Sequence, residues 1–191
     1  LTGWMGEKLS AQFVISTNRD MKNVSVEVSD ILAKNYKISK WNTERGFVRY
    51  VMTDELNKDG KGGCGRRPNS AEWDSTLVAD VIDHVTPALD IKANTTQPVW
   101  VSVKVPRENI IKGMYRGTVT VKEDGKVLAE LPLTVTVKNH VLPAPKDWAF
   151  HLDLWQNPYA VSRYYNVEPF SEEHFDLMRP IMKRYADAGG K

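Results

Sequence analysis

The chain has 191 residues, of which 41% are hydrophobic and 26% are charged, and this balance is typical of soluble globular proteins. Its 26 basic and 24 acidic residues give a net charge of +2 and are scattered along the sequence, which argues against a nucleic-acid-binding surface. The single cysteine, Cys64, excludes an intrachain disulfide and a multi-cysteine zinc site, and no apolar run reaches the roughly 18 residues that span a bilayer.

The first two thirds of the chain predict β-strands. Between residues 10 and 139 apolar and polar side chains alternate with a period of two, most clearly over residues 24–28, 99–105 and 131–137. Such alternation is typical of strands that have one face on a core and the other in solvent. Several short strands separated by turn signals predict a β-sandwich over residues 1–140.

Three local features refine this prediction. Residues 119–128 are expected to form a hairpin in which Gly125 supplies the positive φ of the turn. Pro132 lacks a backbone donor, so its strand should lie at a sheet edge or bulge there. Tyr115, at the start of a strand after a loop, fits the tyrosine corner of immunoglobulin-like sandwiches, and an ordinary half-buried strand tyrosine fits the same pattern.

The alternation stops between residues 54 and 68, where the sequence is polar and rich in glycine. This stretch contains a formal G-x-G-x-x-G match at Gly60, Gly62 and Gly65. A dinucleotide-binding fingerprint follows a strand and opens a helix, whereas this match follows charged residues and runs into Arg66, Arg67 and a proline. A solvated loop is the favoured interpretation, and the sequence assigns no role to residues 58–67.

A second region begins after a stiff, proline-containing linker at residues 141–147. Residues 148–155 are predicted to form a strand. A helix should follow from about Glu172, with Ser171 as its N-cap, a kink or a split at Pro180, and a stop at the two glycines 189 and 190. A strand, a loop and a helix form the opening unit of an α/β domain. We therefore expect residues 148–191 to be the first β-strand and α-helix of a truncated (β/α)8 barrel.

Side chains with binding chemistry follow this linker. By the period of two, His151, Asp153 and Trp155 share one face of the predicted strand, and Gln156 and Asn157 begin the loop after it. An indole stacks on the apolar side of a sugar ring, and amides bind hydroxyls, so the group suits a carbohydrate. In the alternative interpretation the strand is simply amphipathic, and His151 and Asp153 pair with each other or with the backbone. The other histidines are predicted to be surface or capping residues: His84, His140 and His174.

Four segments of the sequence carry a resemblance to a known family: residues 105–117, 131–135, 142–145 and 151–158. Together they resemble the amino-terminal part of glycoside hydrolase family 123 and of related uncharacterised glycosidase-like proteins from Bacteroidetes. The resemblance implies an immunoglobulin-like sandwich ahead of a (β/α)8 barrel, and cleavage of β-N-acetylgalactosaminides without a cofactor or a metal. In that mechanism the 2-acetamido group of the substrate is the nucleophile, an Asp steers it, and a Glu is the general acid.

The resemblance places that Asp–Glu pair on a later barrel strand, beyond Lys191, so the chain is expected to contain no catalytic residue and to be inactive alone. Only His151, Asp153, Trp155, Gln156 and Asn157 match as substrate-binding candidates. The predicted function is that of the N-terminal accessory domain of a bacterial glycoside hydrolase located in the periplasm, on the cell surface or outside the cell. The expected partner is a glycan and not a nucleic acid, and no membrane-spanning segment is expected.

Two other hypotheses stay open: a carbohydrate-binding module and a protein-interaction module of the immunoglobulin type. Exposed aromatic rings at Trp41, Trp73 or Trp100 would favour the first. A further prediction concerns the helix after Ser171, whose apolar side chains cover roughly half of its circumference. A stripe this wide should either fold back on the sandwich or mediate self-association through residues 148–191.

Overall fold

The structure is a computed structural model that describes residues 1–53, 69, 71 and 76–190. The glycine-rich segment 54–68, with its G-x-G-x-x-G match, lies outside the described residues. The chain divides into two compact units, Leu1–Val141 and Leu142–Lys191. Each unit is built differently, and each is described separately below.

The first unit is made of β-strands, as the alternating pattern predicts. In chain order they are β1 (Thr2–Met5), β2 (Lys8–Thr17), β3 (Met21–Val28), β4 (Ile31–Ala33), β5 (Tyr36–Ile38), β6 (Thr43–Thr53), β7 (Thr76–Asp83), β8 (Ala88–Ile91), β9 (Thr95–Lys104), β10 (Gly113–Glu123) and β11 (Lys126–Val141). The strand runs predicted at residues 24–28, 99–105 and 131–137 fall in β3, β9 and β11, so these predictions are confirmed.

Two sheets account for these strands within the described residues. One has the order β1-β11-β10-β3-β8, with β4 added beside β10 and β5 beside β4, and the other has the order β2-β9-β6-β7. Both sheets contribute apolar side chains to one buried cluster, in which Val24, Phe47, Val99 and Val135 have no exposed surface. Two sheets that share one core form a β-sandwich, which confirms the mainly β fold class.

Strand β1 belongs to a different sheet from the strand that follows it. Thr2 and Gly3 lie beside Thr136 and Val137 of β11, and the two strands run parallel. After a turn at Gly6, β2 pairs antiparallel with β9 in the other sheet, from Lys8 opposite Lys104 to Thr17 opposite Thr95. The first 17 residues therefore contribute to both sheets.

The hairpin and the corner predicted around Tyr115 are both present. Strands β10 and β11 are antiparallel, with Glu123 opposite Lys126 and a turn in which Gly125 has a φ of +77°. The Tyr115 side chain is fully buried, and its hydroxyl donates to the Ile111 carbonyl at 2.9 Å. This bond to upstream backbone is the feature of a tyrosine corner, so the alternative of an ordinary strand tyrosine is wrong.

Pro132 lies on an open edge, as its missing donor predicts. It is opposite Thr118 of β10, while β1 pairs with β11 only from Thr136 onward. Among the described residues, no strand pairs with the other side of β11 at Pro132. The proline therefore interrupts no ladder within the described sheet.

The second unit is helical, and one prediction for it is wrong. Helix α1 spans Pro158–Tyr165 and helix α2 spans Glu172–Asp187, with the Ser171 hydroxyl accepting from the His174 amide as predicted for an N-cap. Helix α2 continues through Pro180, so it is not split there. No strand is present at residues 148–155, where only an isolated parallel bridge joins Leu152 to Gly190.

The missing strand has a physical reason. A strand needs a partner for its backbone donors and acceptors, and Gly190 is the residue that lies beside this segment. The alternation of apolar residues does leave a trace, because the rings of Trp148 and Phe150 stack at 5.1 Å. Separately, none of the helices in the described residues is long and apolar enough to cross a membrane.

Candidate functional site

The five predicted binding residues lie on an exposed, extended segment that leads into α1. His151, Asp153, Gln156 and Asn157 are exposed, and the Trp155 side chain is 97% exposed. The Gln156 side-chain nitrogen donates to the Leu154 carbonyl at 3.1 Å. The described structure gathers these side chains along one segment, and it does not bring them together in a cavity.

Helix α2 fixes the path of that segment through one tyrosine. The Tyr185 hydroxyl donates to the Leu152 carbonyl at 2.7 Å and accepts from the Leu154 amide at 3.1 Å. Both bonds are to backbone, on either side of Asp153. The main chain on either side of Asp153 is therefore held in place, while the His151 and Asp153 side chains are exposed.

The carboxyl end of α2 packs closely against the start of the unit. Gly189 has a φ of +104°, and a Cβ added there would lie 2.6 Å from the Trp148 ring. The Trp148 indole N–H in turn donates to the Pro143 carbonyl at 2.9 Å. The helix stop predicted from the two glycines is thus confirmed, and Gly189 also permits the close approach of the indole.

Of the two roles predicted for His174, the surface position is wrong, because the residue is fully buried, whereas the capping role is confirmed, because its ring bonds to backbone next to the Ser171 N-cap. Its Nδ1 accepts from the Phe170 amide at 2.8 Å, so the proton of the neutral ring is on Nε2, which donates to the Pro158 carbonyl at 3.0 Å. The ring thereby connects the start of α1 with the residue before the Ser171 N-cap. His84 and His140 are exposed, as predicted.

The second unit also exposes many apolar side chains. Those at least 40% exposed are Phe150, Leu154, Trp155, Tyr159, Tyr164, Tyr165, Phe170, Phe175, Ile181 and Met182. Soluble monomers rarely expose so many large apolar groups in so short a segment. The second unit therefore exposes an unusually large share of its apolar side chains.

The aromatic residues considered as a glycan platform on the sandwich differ in exposure. Trp41 is 86% exposed, and the Lys40 amine lies 5.3 Å from its ring centroid. Trp100 is half-buried and donates its indole N–H to Ser102 at 3.1 Å. Trp73 lies outside the described residues.

The ionic groups of the sandwich have a structural role. Arg19 donates two hydrogen bonds to the Glu123 carboxylate, at 2.8 and 2.6 Å, and the Lys22 amide donates a third. These bonds lower the pKa of Glu123 to about 2. Among the described residues, no group of three or more His, Cys, Asp or Glu side chains could hold a metal ion.

Two protein-family models match the chain. Residues 1–123 match the glycoside hydrolase 123 N-terminal domain, and residues 155–191 match the catalytic domain of glycoside hydrolase 123. The second match begins at Trp155, within the candidate segment. A search among curated proteins returns no match.

One solved structure gives the same family. The chain is similar over 100% of its length to a family 123 glycoside hydrolase from Clostridium perfringens, with 26% identity and a TM-score of 0.84, and that structure was described for glycolipid glycan hydrolysis. It spans 31% of that enzyme's length. A second structure, the C-terminal domain of the Streptococcus pyogenes antigen I/II-family protein AspA, is 12% identical over 71% of this chain and 41% of its own, and its TM-score of 0.31 carries no argument. The family match over residues 1–123 and the matching structure show that the chain belongs to glycoside hydrolase family 123, as a region that contains its N-terminal domain.

Proposed function

We propose that this chain is the accessory sandwich and the opening of the catalytic domain of an exported bacterial glycoside hydrolase that removes N-acetylhexosamine residues, in particular β-linked N-acetylgalactosamine, from glycans. The observation that carries the proposal is that the catalytic-domain match begins at Trp155, whose indole is 97% exposed beside exposed Asp153, Gln156 and Asn157. An exposed indole next to amide and carboxylate groups has the chemistry of a sugar-binding surface.

The topology of the second unit supports its assignment to a barrel. After α2 the chain returns to Leu152, and Gly190 meets it in a parallel bridge. A segment, a helix and a parallel return form the start of a βαβ unit. In a complete catalytic domain, we propose, residues 148–155 become the first strand of a (β/α)8 barrel, because neighbouring strands then supply the missing backbone partners. Active sites of such barrels lie at the carboxyl ends of the strands, where Trp155 is placed.

The proposed reaction is hydrolysis assisted by the 2-acetamido group of the substrate, with the steering Asp and the acid Glu supplied by residues after Lys191. On this proposal residues 151–157 bind and orient the sugar and transfer no proton. The chain alone is then expected to release no product from chromogenic N-acetyl-β-galactosaminides or N-acetyl-β-glucosaminides.

The test uses a longer protein that carries this chain together with a complete catalytic domain. Replacing Asp153 by Ala should reduce kcat/KM. The activation free energy calculated from kcat/KM should rise by about 1.5–3 kcal/mol, as for a lost hydrogen bond to a charged group. Trp155→Ala should raise the same activation free energy by about 0.5–1.5 kcal/mol, as for the loss of a contact between an aromatic ring and the sugar. Trp41→Ala, an equally large change on the sandwich, is the control and should leave kcat/KM unchanged. Wild-type kinetics in both site variants, or hydrolysis by the chain alone, would refute the assignment.

A carbohydrate-binding role for the sandwich itself is the second candidate, and the exposed Trp41 favours it. On that hypothesis residues 1–141 would bind glycans independently of catalysis, and Trp41→Ala would abolish binding on a glycan array. If Trp41→Ala lost binding on the array but kept its hydrolytic activity, the sandwich would have a glycan-binding role distinct from that of the Trp155 segment.

A further inference from the structure

The sandwich is open along one side of its longer sheet. Strand β11 spans Lys126–Val141, yet β1 pairs with it only from Thr136 to Val141. Within the described residues, the other side of β11 from Lys126 to Leu133 pairs with no strand. Across the sandwich, β2 is likewise at the edge of its sheet. Two open edges therefore face the same side of the fold.

A groove of about 870 Å³ lies between these edges. Its walls include Phe13 and Ile15 of β2, and Leu128, Ala129 and Leu131 of β11. Phe13 and Ile15 belong to the inner face of their sheet but are only partly buried, and Leu131 is 37% exposed. The core is therefore incompletely covered at this groove, whereas it is closed where β1 lies beside β11.

The backbone of β11 is oriented to receive a strand there. The amino group of Leu1 donates to the Thr134 carbonyl at 2.8 Å, and the Thr136 amide donates to the Leu1 carbonyl at 2.9 Å. The amide and carbonyl of one strand residue point to the same side, and alternate residues repeat that direction. The Thr134 amide, the Pro132 carbonyl and both backbone groups of Glu130 therefore face the open side.

We propose that this groove is the seat of an extended strand that continues β1 beyond Leu1, runs parallel to β11, and places apolar side chains between the two sheets. The occupant is a segment joined to the amino end of Leu1, because the β1–β11 ladder points directly along the open edge. Pro132 contributes only an acceptor, so the added strand forms one bond fewer than a full ladder. That loss disfavours unrelated strands, while a strand joined to β1 avoids the translational and rotational entropy cost that a separate partner would incur.

The register determines which side chains of this strand enter the groove. Thr2 lies beside Thr136, so Leu1 lies beside Val135, and the second and fourth residues before Leu1 lie beside Leu133 and Leu131. Partners in a parallel pair share a face of the sheet, and Leu133 and Val135 are buried. The second and fourth residues should therefore be apolar, and the first and third should be polar.

The experiment adds four residues to the complete chain in two versions of identical composition. The in-register version reads Val-Thr-Val-Thr before Leu1, and the shifted version reads Thr-Val-Thr-Val. We expect the in-register version to raise the Tm by about 2–4 °C or more and to slow amide hydrogen exchange at Thr134, whose amide would donate to the second added residue before Leu1. The shifted version should match the unextended chain in both measurements.

Two further proteins, the in-register version and the unextended chain each carrying Leu131→Ser, test the groove itself. The extension should raise the Tm of the Leu131→Ser background by less than it raises that of the parent. Equal Tm values for the two extensions, or exchange at Thr134 that the in-register extension leaves unchanged, would overturn the proposal. Each comparison is made within one background, so destabilisation by the serine alone does not affect the outcome.

Discussion

The Tyr115 hydroxyl closes a four-residue corner by donating to the Ile111 carbonyl at 2.9 Å while accepting from the Ile111 amide at 3.2 Å. One fully buried phenol thus satisfies both backbone groups of a residue in the loop that precedes β10. The bond fixes the entry of β10, which is the central partner of β11 and β3.

Replacing Tyr115 by Phe should lower the free energy of unfolding by about 1–3 kcal/mol, because the phenol ring remains while two partly buried backbone groups lose their partner. Chemical denaturation followed by tryptophan fluorescence measures this. Tyr50→Phe is the matched control: its hydroxyl donates to the Thr96 carbonyl at 2.8 Å on an exposed surface, so its loss should cost under about 1 kcal/mol. An equal cost for both substitutions would contradict a special role for the corner.

The Arg19–Glu123 pair predicts a dependence of stability on acid. The pKa of Glu123 is lowered from 4.5 to about 2 in the folded protein, chiefly by the hydrogen bonds from Arg19. The contribution of Glu123 to stability is therefore complete above pH 4.5 and is lost as the pH falls from 4.5 toward 2. Glu123→Gln should lower the free energy of unfolding at neutral pH. In this variant the free energy of unfolding should also fall less steeply between pH 4.5 and pH 2 than in the parent. Glu130→Gln, at the open edge, is the control; if it reduced the acid dependence equally, the Arg19 pair would not be the cause.

Buried His174 should be essential to the helical unit. His174→Leu keeps an apolar side chain of similar size but leaves the Phe170 amide and the Pro158 carbonyl without partners, which should cost about 2–4 kcal/mol. Limited proteolysis should then cut residues 158–187 faster. His151→Ala, an exposed histidine of the same unit, should change stability by less than about 0.5 kcal/mol. If the protease cut the His174→Leu and His151→Ala variants at the same rate, the two hydrogen bonds of His174 would contribute little to the stability of the helical unit.

The exposed apolar surface of the second unit predicts self-association of this chain. Phe175, Ile181 and Met182 on α2 are 40%, 43% and 61% exposed. We expect the average mass measured by light scattering to rise with protein concentration, and Met182→Lys to reduce that rise. Arg179→Ala, on the polar half of the same helix, should leave it unchanged. A mass equal to one chain at every concentration would refute this prediction.

Sequence alone predicts the sandwich well because its signals are local. The alternation in β3 and β9 is a direct record of a buried inner face, and the Gly125 turn and the Tyr115 corner depend on a few neighbouring residues. The edge position of Pro132 follows from its missing donor. These features need no knowledge of distant partners.

The second unit is harder because its signals depend on partners elsewhere in the chain. Residues 148–155 alternate like a strand but lie beside Gly190 alone. The burial of His174 depends on two backbone groups that its own sequence position does not reveal. Helix α1 is within reach of prediction, because Pro158 at a first helical position is a recognised start signal; the loop expected from Gln156 therefore extends only to Asn157.

The parallel arrangement of β1 and β11 has a mechanical consequence. In the described residues the sandwich runs from Leu1 to Val141, and the two strands at these points are neighbours that run in the same direction. Tension between those two points pulls the strands past each other along their common axis. Their hydrogen bonds are then loaded together in shear and are not peeled apart one at a time. The sandwich can thus transmit force from an attachment at its amino end to whatever follows Val141 without opening first at this seam.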